Sequence, residues 1–185
     1  DGEMEIDLYR DDGINHVITT GVSYAEGAMW VSSYFGGSRY DGRHWRGFAE
    51  QEGGLPSDFN NNIKARSANE AYYCGDKGVG AIMDFPSDTW VQYTRGKAVV
   101  KQAGKLVEEI ELPGGSVPHS FIIAAELDGD DVWIGTGKGL GHATGKGYYP
   151  GLRERPALTS TSGLPPAPAP ISDSRQAGAV RAAGR

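Results

Sequence analysis

Three segments of this chain repeat one grammar, and an internal repeat restricts the available folds more than any single residue does. Each segment has an apolar run, a polar turn, a strand carrying a large aromatic, a glycine-containing turn and an outer strand ending on Trp or Tyr. The first runs from residues 14–18 through Ala25-Glu26-Gly27 to Met29-Trp30-Val31-Ser32-Ser33. It continues through Gly36-Gly37 to Ser38-Arg39-Tyr40-Asp41-Gly42 and ends at His44-Trp45-Arg46-Gly47-Phe48. The second runs from Pro56-Ser57-Asp58-Phe59 through Ser67-Ala68-Asn69-Glu70 to Ala71-Tyr72-Tyr73-Cys74-Gly75, then through residues 77–82 to Thr89-Trp90-Val91-Gln92-Tyr93. The third runs from Val117-Pro118-His119-Ser120-Phe121 through Asp128-Gly129-Asp130-Asp131 to Val132-Trp133-Ile134-Gly135-Thr136, and on to Tyr148-Tyr149.

Trp30, Tyr72 and Trp133 are the corresponding aromatics. The spacing from Trp30 to Tyr72 is that of one four-stranded propeller blade. The spacing from Tyr72 to Trp133 is longer. The excess lies between Arg95 and Gly115, where residues 97–101 and 106–112 read as an inserted hairpin. Among 185 residues there are 28 Gly, 4 Trp and 9 Tyr. Gly serves turns and the aromatics favour strands, while no long face of period 3.6 supports helices. The expected fold is all-β, with β-propeller blades of four antiparallel strands in an incomplete ring. Blades are expected at about 13–50, 55–95 and 116–150 within a unit spanning 1–156, with the hairpin at about 96–115. The alternating stretch Met4-Glu5-Ile6-Asp7-Leu8-Tyr9 reads as an outer or closing strand.

From Ala157 onward the composition shifts to Pro, Ala and Ser, which cannot bury enough apolar surface to offset its ordering entropy. Residues 157–185 are therefore expected to be a disordered tail. The net charge of −6, about −8 without that tail, argues against a nucleic-acid partner. No apolar run reaches the ~18 residues of a membrane span. Cys74 is the only cysteine, which excludes an intrachain disulfide or thiolate cluster and reads as a small core residue. The chain opens at Asp1 with no basic or apolar leader pattern, and it is expected to be either a processed product or, the favoured reading, part of a longer polypeptide.

With these residues laid out, the chain resembles the two-component regulator propeller repeat family. The resemblance rests on Trp30-Val31, Gly36-Gly37-Ser38-Arg39-Tyr40-Asp41-Gly42, Trp45, Gly54-Leu55-Pro56-Ser57-Asp58, and residues 132–140. It spans roughly residues 13–149. It implies a periplasmic or extracellular sensor or protein-binding propeller. Three blades fall short of a closed ring of 4 to 8, so missing blades or a protein partner are expected to complete it.

Two nucleotide-like patterns fail on spacing. Residues 135–141 contain no G-x-G-x-x-G, and Lys146 is followed by Gly147 where a phosphate loop needs Ser or Thr. Asp128-Gly129-Asp130-Asp131 lacks the Glu that a calcium loop needs at its twelfth position, Gly139, and reads as a hairpin turn. One constellation stands out. His16, Asp58 and His119 precede Trp30, Tyr72 and Trp133 by one and the same interval, which places them where the chain leads into three innermost strands. There they would ring one channel mouth, with Asn15, Ser57, Asn60 and Ser120 as neighbours. Imidazole and carboxylate can bind a small polar ligand or a metal; the same residue types also serve as local turn formers.

The reading these features support is a non-catalytic module for ligand sensing or protein binding, with no cofactor. Two alternatives differ in class. A carbohydrate hydrolase or lyase would need a second carboxylate or a base beside Asp58. A scaffold subunit of a periplasmic redox assembly would hold no haem itself, because no C-x-x-C-H occurs.

Overall fold

The computed structural model describes residues 13–112 and 117–144. Thirteen strands occur there: β1 Thr19–Ala25, β2 Ala28–Ser33, β3 Gly37–Tyr40, β4 Trp45–Phe48, β5 Asn60–Ala65, β6 Ala71–Gly75, β7 Gly78–Asp84, β8 Thr89–Thr94, β9 Lys97–Gln102, β10 Lys105–Glu111, β11 Ile122–Asp128, β12 Asp131–Thr136 and β13 Gly139–Ala143. A 3-10 turn, Glu50–Glu52, joins the first sheet to the second. Among the described residues the fold is all-β, and the blades form an open arc with no closed ring. The stretch 4–9, Tyr148-Tyr149 and the tail 157–185 lie outside the described residues.

Every sheet is an antiparallel meander, in the orders β1-β2-β3-β4, β5-β6-β7-β8-β9-β10 and β11-β12-β13. Among the described residues, a sheet of four strands is seen in the first blade. In the second, β9 and β10 add to the outer edge after β8, so the segment at 97–111 widens the blade to six strands. The third shows three strands among the described residues. The apolar residues at 14–18, 56–59 and 117–121 are approach segments; the inner strands begin directly after them, at Thr19, Asn60 and Ile122.

Turn chemistry explains the hairpins. Glu26-Gly27 and Ala103-Gly104 both take positive φ at two central residues, the geometry whose twist matches paired strands. Asp128-Gly129-Asp130-Asp131 closes the β11–β12 hairpin, and its Gly129 and Asp130 carbonyls accept hydrogen bonds from the Arg66 guanidinium of the second blade.

The blades stack face to face. Trp30, Phe48, Tyr73 and Trp90 form the core between the first and second, with Phe85 at its margin. Their ring centroids lie 5.2–6.5 Å apart, mostly edge to face. Tyr72, Cys74, Val79 and Ala81 pack against Val117, Ile122, Val132 and Ile134 between the second and third. Hydrogen bonds repeat this order. Trp30 Nε1 and Arg39 Nε donate to the Ser67 and Ala68 carbonyls of the next blade, as Arg66 does one blade on. Thr20 Oγ1 donates to the Asn60 carbonyl at 2.7 Å, and Asn61 Nδ2 to the Ile122 carbonyl at 2.7 Å, stitching β1 to β5 and β5 to β11.

Cys74 lies wholly inside the second interface, where burial pushes its thiol up to about 12. An aromatic disulfide reagent at pH 8 should leave the folded chain unlabelled and react at once after unfolding in guanidinium; rapid labelling of the folded chain would show that this interface opens.

Candidate functional site

Strand register determines which residues share a place in the three blades. Thr19 pairs with Ser33, Asn60 with Gly75 and Ile122 with Thr136, and each inner strand then carries a bulge at the same point. The Trp30, Tyr72 and Trp133 positions are equivalent, since they pair with Ser23, Lys64 and Glu126. Three places before the first inner-strand pair stand His16, Ser57 and His119. Asp58 is one place further on.

The hydrogen bonds follow the same register. The Ile18 amide donates to His16 Nδ1, the Phe59 amide to Ser57 Oγ and the Phe121 amide to His119 Nδ1, all at 3.1 Å. The Ile18, Phe59 and Phe121 carbonyls accept from the Tyr34, Asp76 and Gly137 amides of their own blades. The residue before each turn former, Asn15, Pro56 or Pro118, lies over a small residue of the same sheet. Asn15 meets Ser38 and Gly47, Pro56 meets Gly80 and Pro118 meets Gly141. Asp58 has another task. Its Oδ1 accepts from the Glu50 amide at 2.6 Å, and its carbonyl accepts from the Gly36 amide at 2.8 Å, which joins the 3-10 turn and the β2–β3 turn to the second blade. The histidines thus engage Nδ1 with their own backbone.

Around these turns lies a feature that sequence reasoning missed. Tyr34 and Phe35, in the β2–β3 turn, and Phe59, in the next approach segment, are largely exposed large hydrophobics. They form a chain of rings with His16: His16 to Phe35 at 4.6 Å, Phe35 to Phe59 at 5.8 Å and Tyr34 to Phe59 at 6.0 Å. Phe121 is exposed at the equivalent place in the third blade, and a Cβ on Gly137 would meet both it and His119. The available signal was Tyr34-Phe35 itself, two aromatics in a turn where small polar residues are usual. Buried acceptors sit at the same end: Asn15 Oδ1, Asn60 Oδ1 and Asp76 Oδ1 have no hydrogen-bond donor among the described residues. Ser120 is half-buried beside His119. Among the described residues no group of three His, Cys, Asp or Glu side chains is placed to hold a metal ion.

The sheets and this shared end define an all-β, propeller-like arc of blades with an aromatic rim. No family model and no curated protein matches the chain. Among solved structures it has distant similarity to extracellular domains of bacterial two-component systems. The extracellular domain of the hybrid two-component system BT4673 from B. thetaiotaomicron is 13% identical, with a TM-score of 0.32 over 68% of this chain and 27% of that one. That of BT3049 from the same organism is 12% identical, with a TM-score of 0.31 over 67% of this chain and 26% of that one. The computationally designed Ika4 protein is 12% identical, with a TM-score of 0.34 over 71% of this chain and 92% of that one. The chain spans less than a third of the length of the two bacterial domains. No helix among the described residues is long and apolar enough to cross a membrane.

Proposed function

We propose that this chain is a non-catalytic binding module, the ligand-sensing part of a periplasmic or extracellular propeller. The proposed site is the end of the first two blades where His16, Tyr34, Phe35 and Phe59 lie, with His119 and Phe121 at the equivalent places of the third. The observation that carries the reading is the exposed ring chain of His16, Phe35, Phe59 and Tyr34 beside local turns that hold the backbone still. Exposed aromatics forfeit burial, and a ligand with a flat apolar face recovers it. The Nε2 atoms of His16 and His119, whose Nδ1 atoms are engaged by their own backbone, suit that ligand's polar edge. Asp58 contributes as a positioning residue through the Glu50 and Gly36 amides. The chemistry fits a sugar or an aromatic carboxylate better than a bare cation, because the imidazoles come from separate blades.

Calorimetric titration with simple oligosaccharides and with aromatic carboxylates tests this. Binding to one of the two sets is expected. Phe35→Ala and Phe59→Ala should each weaken it by up to about tenfold, the worth of one stacked ring. His16→Ala and His119→Ala should weaken it comparably through lost hydrogen bonds. Unchanged affinity in all four variants would leave the histidines as turn formers and move the site elsewhere.

A further inference from the structure

The two ends of the arc are the two halves of an interface the chain already makes twice. By register, Val22, Tyr24 and Met29 of the first blade hold the places of Ile63, Ala65 and Ala71 in the second and of Ala125, Leu127 and Val132 in the third. In the second and third blades those places pack against the preceding blade. In the first they are exposed, Tyr24 to 69%. At the other end, Trp133 and Leu140 of the third blade hold the places of Tyr72 and Val79, which the third blade covers. Leu140 is 54% exposed, and Trp133 is covered by a stack on His142 of its own sheet, with centroids 3.8 Å apart.

From this equivalence we propose that a second copy of the chain docks head to tail, each third-blade face on the other copy's first-blade face. One chain carries both complementary surfaces, and this makes a second copy the fitting occupant. The contact is heterologous, so it must close to avoid filaments. The described blades of two copies number six, within the range of 4 to 8 that closed propellers use, whereas those of three copies number nine. The ring would remove both exposed faces at once. This docking is independent of what the rim binds.

The test is analytical ultracentrifugation of the full chain at about 100 μM, above the dissociation constants usual for an interface of ordinary size. A dimer is expected. Tyr24→Glu and Trp133→Glu should each raise its dissociation constant about 100-fold or more, as loss of a central aromatic anchor does, with far-UV circular dichroism unchanged. Trapping reports orientation. Tyr24 is equivalent to Ala65, whose amide donates to Ser23 Oγ of the preceding blade, and Ser23 is equivalent to Glu126. A mixture of Glu126→Cys and Tyr24→Cys chains should therefore give a disulfide between unlike chains. A wild-type monomer at this concentration, or a disulfide only between like chains, would overturn the proposal.

Discussion

Trp30→Ala should destabilise the chain by about 3–5 kcal/mol, while Trp133→Ala, at the equivalent place, should cost less than half of that when measured on the monomer. Trp30 is fully buried. Its ring meets Phe48, Tyr73 and Phe85 at 6.1–6.5 Å, Arg39 lies over it at 5.3 Å, and its Nε1 donates to the Ser67 carbonyl of the next blade. Truncation opens a cavity between two blades that cannot collapse, since the strands on both sides are held by their ladders. It also leaves the Ser67 carbonyl without that donor. Among the described residues Trp133 stacks on His142, at the end of the arc, with no blade beyond it. Urea melts of the two variants followed by tryptophan fluorescence and circular dichroism would measure the difference. Equal losses would mean that the two faces are equally enclosed, against the placement of the third blade at an open end.

The second large effect is expected at Gly36. Gly36→Ala should cost more than about 2 kcal/mol, combining the left-handed backbone penalty with a clash. Its φ is 85°, and a Cβ would sit 2.1 Å from the Phe48 carbonyl oxygen. That oxygen cannot retreat cheaply, because it accepts from Asn15 Nδ2 in the approach segment. The Gly36 amide and carbonyl are both engaged, with Asp58 and Ser33, so the turn carrying Tyr34 and Phe35 would shift as well. Gly42→Ala is the control. Its φ is 96° and a Cβ there meets nothing within 4 Å, so only the backbone penalty remains, about 1–2 kcal/mol. If the two alanine variants melt at the same denaturant concentration, the Phe48 contact is not what demands glycine at 36.

Much of the architecture is legible in the residues, because glycine turns and buried aromatics leave strong marks. Trp30, Tyr72 and Trp133 do share one register position. The site was harder to read. Counting back by one fixed interval from each aromatic picks Asp58, but the turn between Ala65 and Ala71 is longer by one than its counterparts between Tyr24 and Met29 and between Leu127 and Val132. That extra residue slips the count, and the equivalent of His16 and His119 is Ser57. Nothing in local composition marks a loop longer by one, and Ser and Asp are both turn formers. Aligning Pro56 with Pro118 would have found it, since both prolines lie over a third-strand glycine. The six-stranded second blade is a similar case. Residues 97–101 and 106–112 read as a hairpin, but whether a hairpin extends its sheet or stands apart depends on edge pairing with β8, a non-local contact. The aromatic cluster was missed because exposure is a tertiary property: Phe59 and Phe121 close the opening segments of their repeats, and only the start of the inner strands after them goes with their exposure.

The three approach segments repeat one turn, and the proposed site has His16 and His119 facing a common rim. A long-range proton–nitrogen NMR spectrum of the imidazoles tests that arrangement most directly, because the tautomer of each ring reports which nitrogen its backbone partner occupies. His16 and His119 should both be Nε2–H tautomers with Nδ1 accepting, and whichever oligosaccharide or aromatic carboxylate binds in calorimetry should shift both rings while His44 and His142 stay still. An Nδ1–H tautomer at either residue, or shifts confined to His44 and His142, would contradict the shared rim.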